Sequence, residues 1–326
     1  MNELEVEICV PWGQVTCKIM AENMIKTNDI ILFLHDLHDN AASFDQLIEN
    51  FKENHMYLAI DLPGHGKSSS AYPHATYHFI DFVLTIKYVI YRLLHQFRQN
   101  QSIKQVVIVA HGKSAHTAAV FTQIYPKLIS KLILLDDMYN YGVPATDFSK
   151  IFKQINENYF AVEKIKMTKS PEEFTFDDVL EIYKNKYSND KIKFYEMLGD
   201  ISEIESGTAK TVRAIARRSC RQIDNGKYLM RNDLQLKNML MHTSGFDYMI
   251  DFLRKQPIMC PTVILCTQAK TTEHKTFLNT LKSKNSHVNI IKVPFDNYHI
   301  KKPRETANIL GNFLSINKNQ PSESKL

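Results

Sequence analysis

The sequence predicts an α/β fold: a mostly parallel sheet covered by helices on both faces and interrupted by an inserted helical cap. Three observations predict it. Short unbroken apolar runs such as Ile30-Ile31-Leu32-Phe33-Leu34 have the pattern of strands buried on both faces. Segments with apolar residues three and four positions apart alternate with those runs, the order that βαβ units require. A long stretch of charged, helix-favouring sequence then separates the earlier strand candidates from the last two.

Taken in order, residues 4–10 and 15–20 alternate apolar and polar side chains around Pro11-Trp12-Gly13, which predicts an N-terminal hairpin. Buried strands are expected at 30–34, 57–61, 106–109, 132–135 and 263–266, a further strand at 288–293, and helices at 41–52, 79–97, 117–124 and 304–316. The division that follows is a core of residues 1–138 and 257–316, a helical cap at 139–256, and a flexible polar tail at 317–326.

A chain of 326 residues accommodates one core with an insertion, and its 44% apolar and 23% charged residues are those of an ordinary globular protein. The formal charge of +5, from 40 basic and 35 acidic residues, is spread along the chain, so no nucleic-acid partner is expected. The basic runs at 213–221 and Lys301-Lys302-Pro303-Arg304 read as solvated faces. Five cysteines (Cys9, Cys17, Cys220, Cys260, Cys266) show no Cys-x-x-Cys spacing that would suggest a metal site, which predicts a reduced compartment; no cofactor is expected. No segment has the apolar length of a membrane span or of a signal peptide.

The chemistry is expected at Val109-Ala110-His111-Gly112-Lys113-Ser114-Ala115, a sharp turn between the strand Gln105-Val106-Val107-Ile108-Val109 and a helical pattern. This is the small-x-nucleophile-x-small arrangement of a nucleophile elbow, with Ala110 and Ser114 as the small residues and Gly112 at the central position. Around it, Val10-Pro11-Trp12-Gly13, the loop from His35-Asp36-Leu37-His38 to Asp45, and Asp61-Leu62-Pro63-Gly64-His65-Gly66-Lys67-Ser68 occur in order. They are followed by residues 125–136 and by the cap segment from Arg217-Arg218 to Lys237. In this ordered set the chain resembles the serine hydrolase-like (kraken-type) family, whose members have the α/β-hydrolase fold.

The resemblance implies a serine nucleophile at the elbow, a catalytic histidine in a C-terminal Gly-His-x-x-His-x-x-x-Pro pattern, and a carboxylate that orients it. This chain departs at each place. Gly112 has no side chain to form an acyl-enzyme. The loop Phe295-Asp296-Asn297-Tyr298-His299-Ile300-Lys301-Lys302-Pro303, anchored on Pro303, sets Asp296 at the catalytic histidine and leaves His299 as a possible surviving base. The strand after the cap leads into Thr267-Gln268-Ala269-Lys270 without a carboxylate, so Asp136, with Asp137 beside it, is the possible surviving acid. The oxyanion loop His35-Asp36-Leu37 carries Asp36 where the family has glycine, and a carboxylate there would repel a developing oxyanion. These residues and Lys113 are expected to line the pocket.

Ser114 reads as the small residue that the turn requires, His111 as the ordinary neighbour of the elbow, and Cys220 and Cys266 as structural thiols. Tyr139, Tyr141, Phe148, Phe152, Tyr159 and Phe160 are expected either to line an apolar cavity or to pack the cap. The expected function is that of a serine hydrolase-like protein with a degenerate triad, unable to hydrolyse esters through serine, with a pocket for an apolar or acyl ligand between core and cap. The alternative is an active hydrolase of carboxylic esters or acyl thioesters with a non-standard site, His299 activating water; an interaction scaffold is a third reading. Finally, Ser324-Lys325-Leu326 matches the tripeptide read by the peroxisomal import receptor, so a peroxisomal location is expected, and a cytoplasmic one otherwise. A fluorescent protein ending in residues 317–326 should concentrate in peroxisomes and become diffuse when Leu326 is removed.

Overall fold

The computed structural model describes residues 2–21, 30–52, 55–70, 76–98, 105–136, 146–188, 201–239, 245–267 and 271–315. Its centre is an eight-stranded sheet. In chain order the strands are β1 (Asn2–Val10), β2 (Gly13–Ala21), β3 (Ile30–Leu34), β4 (Met56–Ile60), β5 (Val106–His111) and β6 (Ile129–Leu135). A short hairpin, β7 (Cys220–Gln222) with β8 (Tyr228–Met230), lies apart from the sheet, and β9 (Thr262–Cys266) and β10 (Val288–Lys292) complete it. The spatial order is β1-β2-β4-β3-β5-β6-β9-β10. The first two strands pair antiparallel around Pro11-Trp12, β2 pairs antiparallel with β4, and the remaining neighbours are parallel.

Every residue of β3, β4 and β5 is buried, because helices cover both faces of the sheet. One face carries α2 (Phe79–Arg98) and α3 (Lys113–Ile124), packed on Leu32, Leu58 and Ile108; the other carries α1 (Asp45–Glu49) and the final helix α10 (Pro303–Ser315), packed on Phe33 and Val109. The expected helix at 41–52 is two pieces, a 3-10 turn at Ala41–Phe44 capped by the Asn40 side chain and then α1. The helix after the elbow begins at Lys113, four residues before its apolar periodicity starts, because Lys113, Ser114, Ala115 and His116 tolerate helix without belonging to the 3.6-residue pattern.

Between β6 and β9 the described chain contains α4 (Phe148–Thr168), α5 (Phe176–Ser188), α6 (Ile201–Ser219), the β7-β8 hairpin, a 3-10 turn at Leu234–Asn238 and α7 (Phe246–Lys255). Three-residue strands were invisible in the sequence, being too short for an alternation to register. The insertion has its own small core of Val179, Tyr183, Tyr187, Val212 and Ile215, into which Ala42 and Ile300 of the sheet domain also pack. Helix α7, which the sequence boundary at 256 sets in the cap, buries Ile250 and Leu253 in the main core beside Phe277 and Leu281 of α8 (Thr272–Lys284).

Two cations expected on solvated faces are buried. Arg218, at the end of α6, donates from Nε to both Asp61 oxygens at 2.9 Å and from Nη1 to Glu5 Oε2 at 2.6 Å. Asp61 is fully buried and accepts as well from the backbone N–H groups of Ala41 (2.9 Å) and Lys67 (2.7 Å). Gly66 permits this: a Cβ there would fall 2.4 Å from the Asp61 carboxylate. Lys301, 1% exposed, lies in the short helix α9 (Tyr298–Lys301) with its ammonium 5.4 Å from the Phe295 ring centroid.

Removing one partner from a buried ion pair strands the other charge. Arg218→Ala should therefore lower the unfolding free energy by about 3 kcal/mol in urea titrations, because Asp61 keeps only its two N–H donors. Burial pushes the Glu5 carboxyl up, but hydrogen bonds and charge from Lys67 and Arg218 outweigh it and hold the group below its ordinary 4.5. A depressed folded-state pKa makes this contribution complete above pH 4.5 and lost as pH falls below it. Glu5→Gln should accordingly show a shallower loss of stability with pH below 4.5 than the unsubstituted protein, measured by urea midpoints.

Candidate active site

The elbow joins the C-terminal end of β5 to α3, the position at which parallel α/β sheets present their sites. Gly112 has φ 56° and ψ −125°, a left-handed backbone that strains any residue with a Cβ, and glycine adopts it without cost. Its N–H donates to Leu135 O at 3.0 Å, which anchors the turn to the neighbouring strand. A Cβ at position 112 would sit 2.4 Å from Asp36 Cγ and 2.4 Å from Asp36 Oδ1.

Asp36 fills the space in front of the turn. Its Oδ1 accepts the backbone N–H of Lys113 at 2.7 Å, and the N–H of Leu37 also favours its charged form. These are the two loop positions from which an α/β-hydrolase draws its oxyanion donors: the residue after the nucleophile, and the loop after β3. Burial alone would push the Asp36 carboxyl up, but the charges of His111 and Lys186 and the N–H groups of Lys113 and Leu37 outweigh it and lower its pKa. The Lys113 side chain is exposed and contributes only its backbone here.

The loop carrying Asp36 is fixed from below. His35 is fully buried; its Nε2 accepts the Leu62 N–H at 3.0 Å and its Nδ1 donates to Asp36 O at 2.7 Å, so burial holds it neutral. The Ser114 hydroxyl donates to His35 O, which confines it to the loop's backbone. Cys220, whose thiol burial pushes up, donates to Ala216 O at 3.2 Å, and Cys266 is buried.

Asp136 and His299, the possible surviving acid and base, both reach the site but do not hydrogen-bond each other. Asp136, at the end of β6 with φ 64°, pairs its Oδ2 with His111 Nε2 at 2.8 Å and accepts the Asn297 N–H at 2.8 Å. Burial would lower the His111 pKa, but the Asp136 bond and charge, with Asp36 and Asp39 nearby, outweigh it and raise it. His299 is 1% exposed, stacked 5.5 Å from the Phe44 ring and set edge-to-face 4.3 Å from the His111 ring. Neither of its ring nitrogens has a hydrogen-bond partner among the described residues, and burial and the neighbouring His111 charge keep it neutral. Asp296 accepts the Thr267 hydroxyl at 3.0 Å.

The insertion closes over the loop. Asp39, fully buried, accepts Lys186 Nζ and Tyr187 Oη from α5, each at 2.6 Å, and its Oδ2 lies 4.0 Å from His111 Nδ1. Tyr183 Oη donates toward His38 O at 3.1 Å, and Asn40 Nδ2 donates to Ile215 O at 3.0 Å. The crevice beside the elbow, lined by Leu37, Leu62, His65, Phe82, Lys113 and Met239, has no space for a water molecule among the described residues. Phe148 and Phe160 are exposed on α4 rather than lining a cavity, whereas Phe152 and Tyr159 are half-buried; Tyr139, Tyr141 and Asp137, like Ser324, Lys325 and Leu326, lie outside the described residues.

Sequence reasoning gave His111 no part in the site and passed over Asp39, Asn297, Lys186 and Tyr187. The order of residues at the elbow could have raised His111, since it adjoins the central glycine. Nothing in one sequence distinguishes Lys186 and Tyr187 from other helix-surface residues.

Parallel sheet, elbow and flanking loops define an α/β-hydrolase-fold protein, and residues 29–164 match the family model described as the alpha/beta hydrolase fold. Within that class the chain is similar to serine hydrolase-like proteins. It is 24% identical over 314 residues to a serine hydrolase-like protein of Mus musculus, covering 95% of each chain. It is 32% identical over 132 residues to a serine hydrolase-like protein of Homo sapiens, a match spanning 40% of this chain and 60% of that one. Among solved structures, a hypothetical protein of Pseudomonas aeruginosa PAO1 superposes with a TM-score of 0.70 at 19% identity, over 97% of this chain and 99% of that one. No helix among the described residues is long and apolar enough to cross a membrane.

Asp36→Ala frees the Lys113 N–H and removes a charge that balances His111. A loss of about 2–4 kcal/mol in chemical denaturation is expected; a change below about 0.5 kcal/mol, typical of an ordinary surface site, would contradict these contacts.

Proposed function

We propose that this serine hydrolase-like protein does not hydrolyse esters through a serine mechanism. The observation that carries the reading is the mutual exclusion at the elbow: the Asp36 carboxylate occupies the Lys113 N–H beside that of Leu37, and a side chain at position 112 would collide with it. A working site needs a nucleophile, free donors aimed at the oxyanion, and a base oriented by an acid. Gly112 supplies no nucleophile. The donors already bind a carboxylate of the chain, and Asp136 orients His111 rather than His299. Because such groups act as a unit, the loss of any one removes most of the covalent route.

The tight crevice beside the elbow argues against assigning a ligand to it, so the proposal concerns the chemistry alone. A panel of activated esters and acyl thioesters should show no turnover above background with the unsubstituted protein. Gly112→Ser should be equally inactive, because the new side chain meets Asp36. Only with Asp36→Gly added do both a nucleophile and free donors coexist. Turnover proportional to the unsubstituted protein and abolished by His299→Ala would overturn the proposal in favour of a hydrolase that uses His299 to activate water.

A further inference from the structure

We propose that His111, Asp136 and His299 form a binding site for a divalent transition-metal ion, with Zn²⁺ the best-matched species. Spacing in the sequence predicted no metal site, because the three residues lie on separate segments: the end of β5, the end of β6 and α9. The fold brings one donor atom from each to within 4.8 Å of the others. Two imidazoles and a carboxylate are a common three-ligand set for zinc, with a further position left for water.

His299 is the independent observation. It is 1% exposed, and both of its ring nitrogens lack a partner among the described residues, although its ring touches that of His111. Buried polar groups are nearly always satisfied, and a histidine that is not calls for an explanation. The His111–Asp136 pair alone does not provide one, since it leaves His299 unsatisfied. Zn–N and Zn–O bonds of about 2.0–2.2 Å set two tetrahedral ligands roughly 3.4 Å apart. The 2.8 Å His111–Asp136 contact would open slightly around an ion, and His299 would approach without breaking any hydrogen bond.

Charge and support also suit a cation. Asp39 Oδ2 lies 4.0 Å from His111 Nδ1, on the far side of that ring, and Asp36 adds a second carboxylate near His111. Lys186 offsets part of this charge through Asp39. The Asn297 N–H bonded to Asp136 Oδ2 steadies the carboxylate, the role of an outer-sphere partner. Asp136 retains 12% side-chain exposure, which gives an ion a route from solvent. Nitrogen donors favour zinc, cobalt or nickel over magnesium or calcium.

The test is titration of the dialysed full chain with Co²⁺, followed by visible absorption, and then displacement by Zn²⁺. One equivalent should bind with the visible bands of a low-coordinate nitrogen and oxygen site and without a thiolate charge-transfer band, and Mg²⁺ should not compete. His299→Gln and Asp136→Asn, each checked for unchanged near-ultraviolet circular dichroism, should each weaken binding by on the order of 100-fold, since even outer-sphere losses reach that range. At least one of two such near-isosteric variants is expected to fold. No saturable cobalt uptake by the folded chain would overturn the proposal. So would a thiolate band from the free cysteines, or equal affinity in a folded variant.

Discussion

A carboxylate bound by the elbow's own backbone is the constraint on which the rest of the site depends. Paired N–H groups at a helix start attract negative charge, and the α/β-hydrolase fold ordinarily keeps such a pair for an oxyanion that forms in the reaction. Here Asp36 supplies a permanent negative charge at that place, held by the Lys113 N–H. Its position accounts for Gly112, where a Cβ has no room, and for the raised proton affinity of His111, which sees Asp136, Asp36 and Asp39 together.

The same loop carries the joint between sheet and insertion. Asp39 draws Lys186 and Tyr187 down onto it, while Asp61 holds Arg218 from the end of α6 and two backbone N–H groups from the core. Both carboxylates are fully buried, so each depends on its insertion partner for charge or hydrogen-bond satisfaction. Coupling of this kind ties the insertion to the loop that carries Asp36. The tight crevice at the elbow is lined from the same loop by Leu37, and by Leu62, Phe82 and Met239 around it.

The sheet was legible in the sequence because strands buried on both faces form unbroken apolar runs, as at Ile30–Leu34. The elbow was legible because strand, small residues and helix meet there in fixed order. Gly112 and Asp36 were each recognised as departures, but their physical contact was not, since it depends on side-chain direction across the 75 residues between them, a separation on which sequence pattern carries no information. His299 illustrates a different limit. Its place in the loop was read, whereas its lack of partners and its packing on His111 and Phe44 are properties of the folded interior. Lys301 and Arg218 were misplaced on solvated faces because charge runs usually are solvated, and only tertiary partners reveal the exceptions.

The central claim is that the Asp36 carboxylate and a side chain at position 112 compete for one volume. A crystal structure of the Gly112→Ser variant tests it most directly. The account predicts that Asp36 leaves the Lys113 N–H, or that the elbow backbone shifts to make room. A serine seated at the elbow with the 2.7 Å contact between Lys113 and Asp36 retained would contradict it.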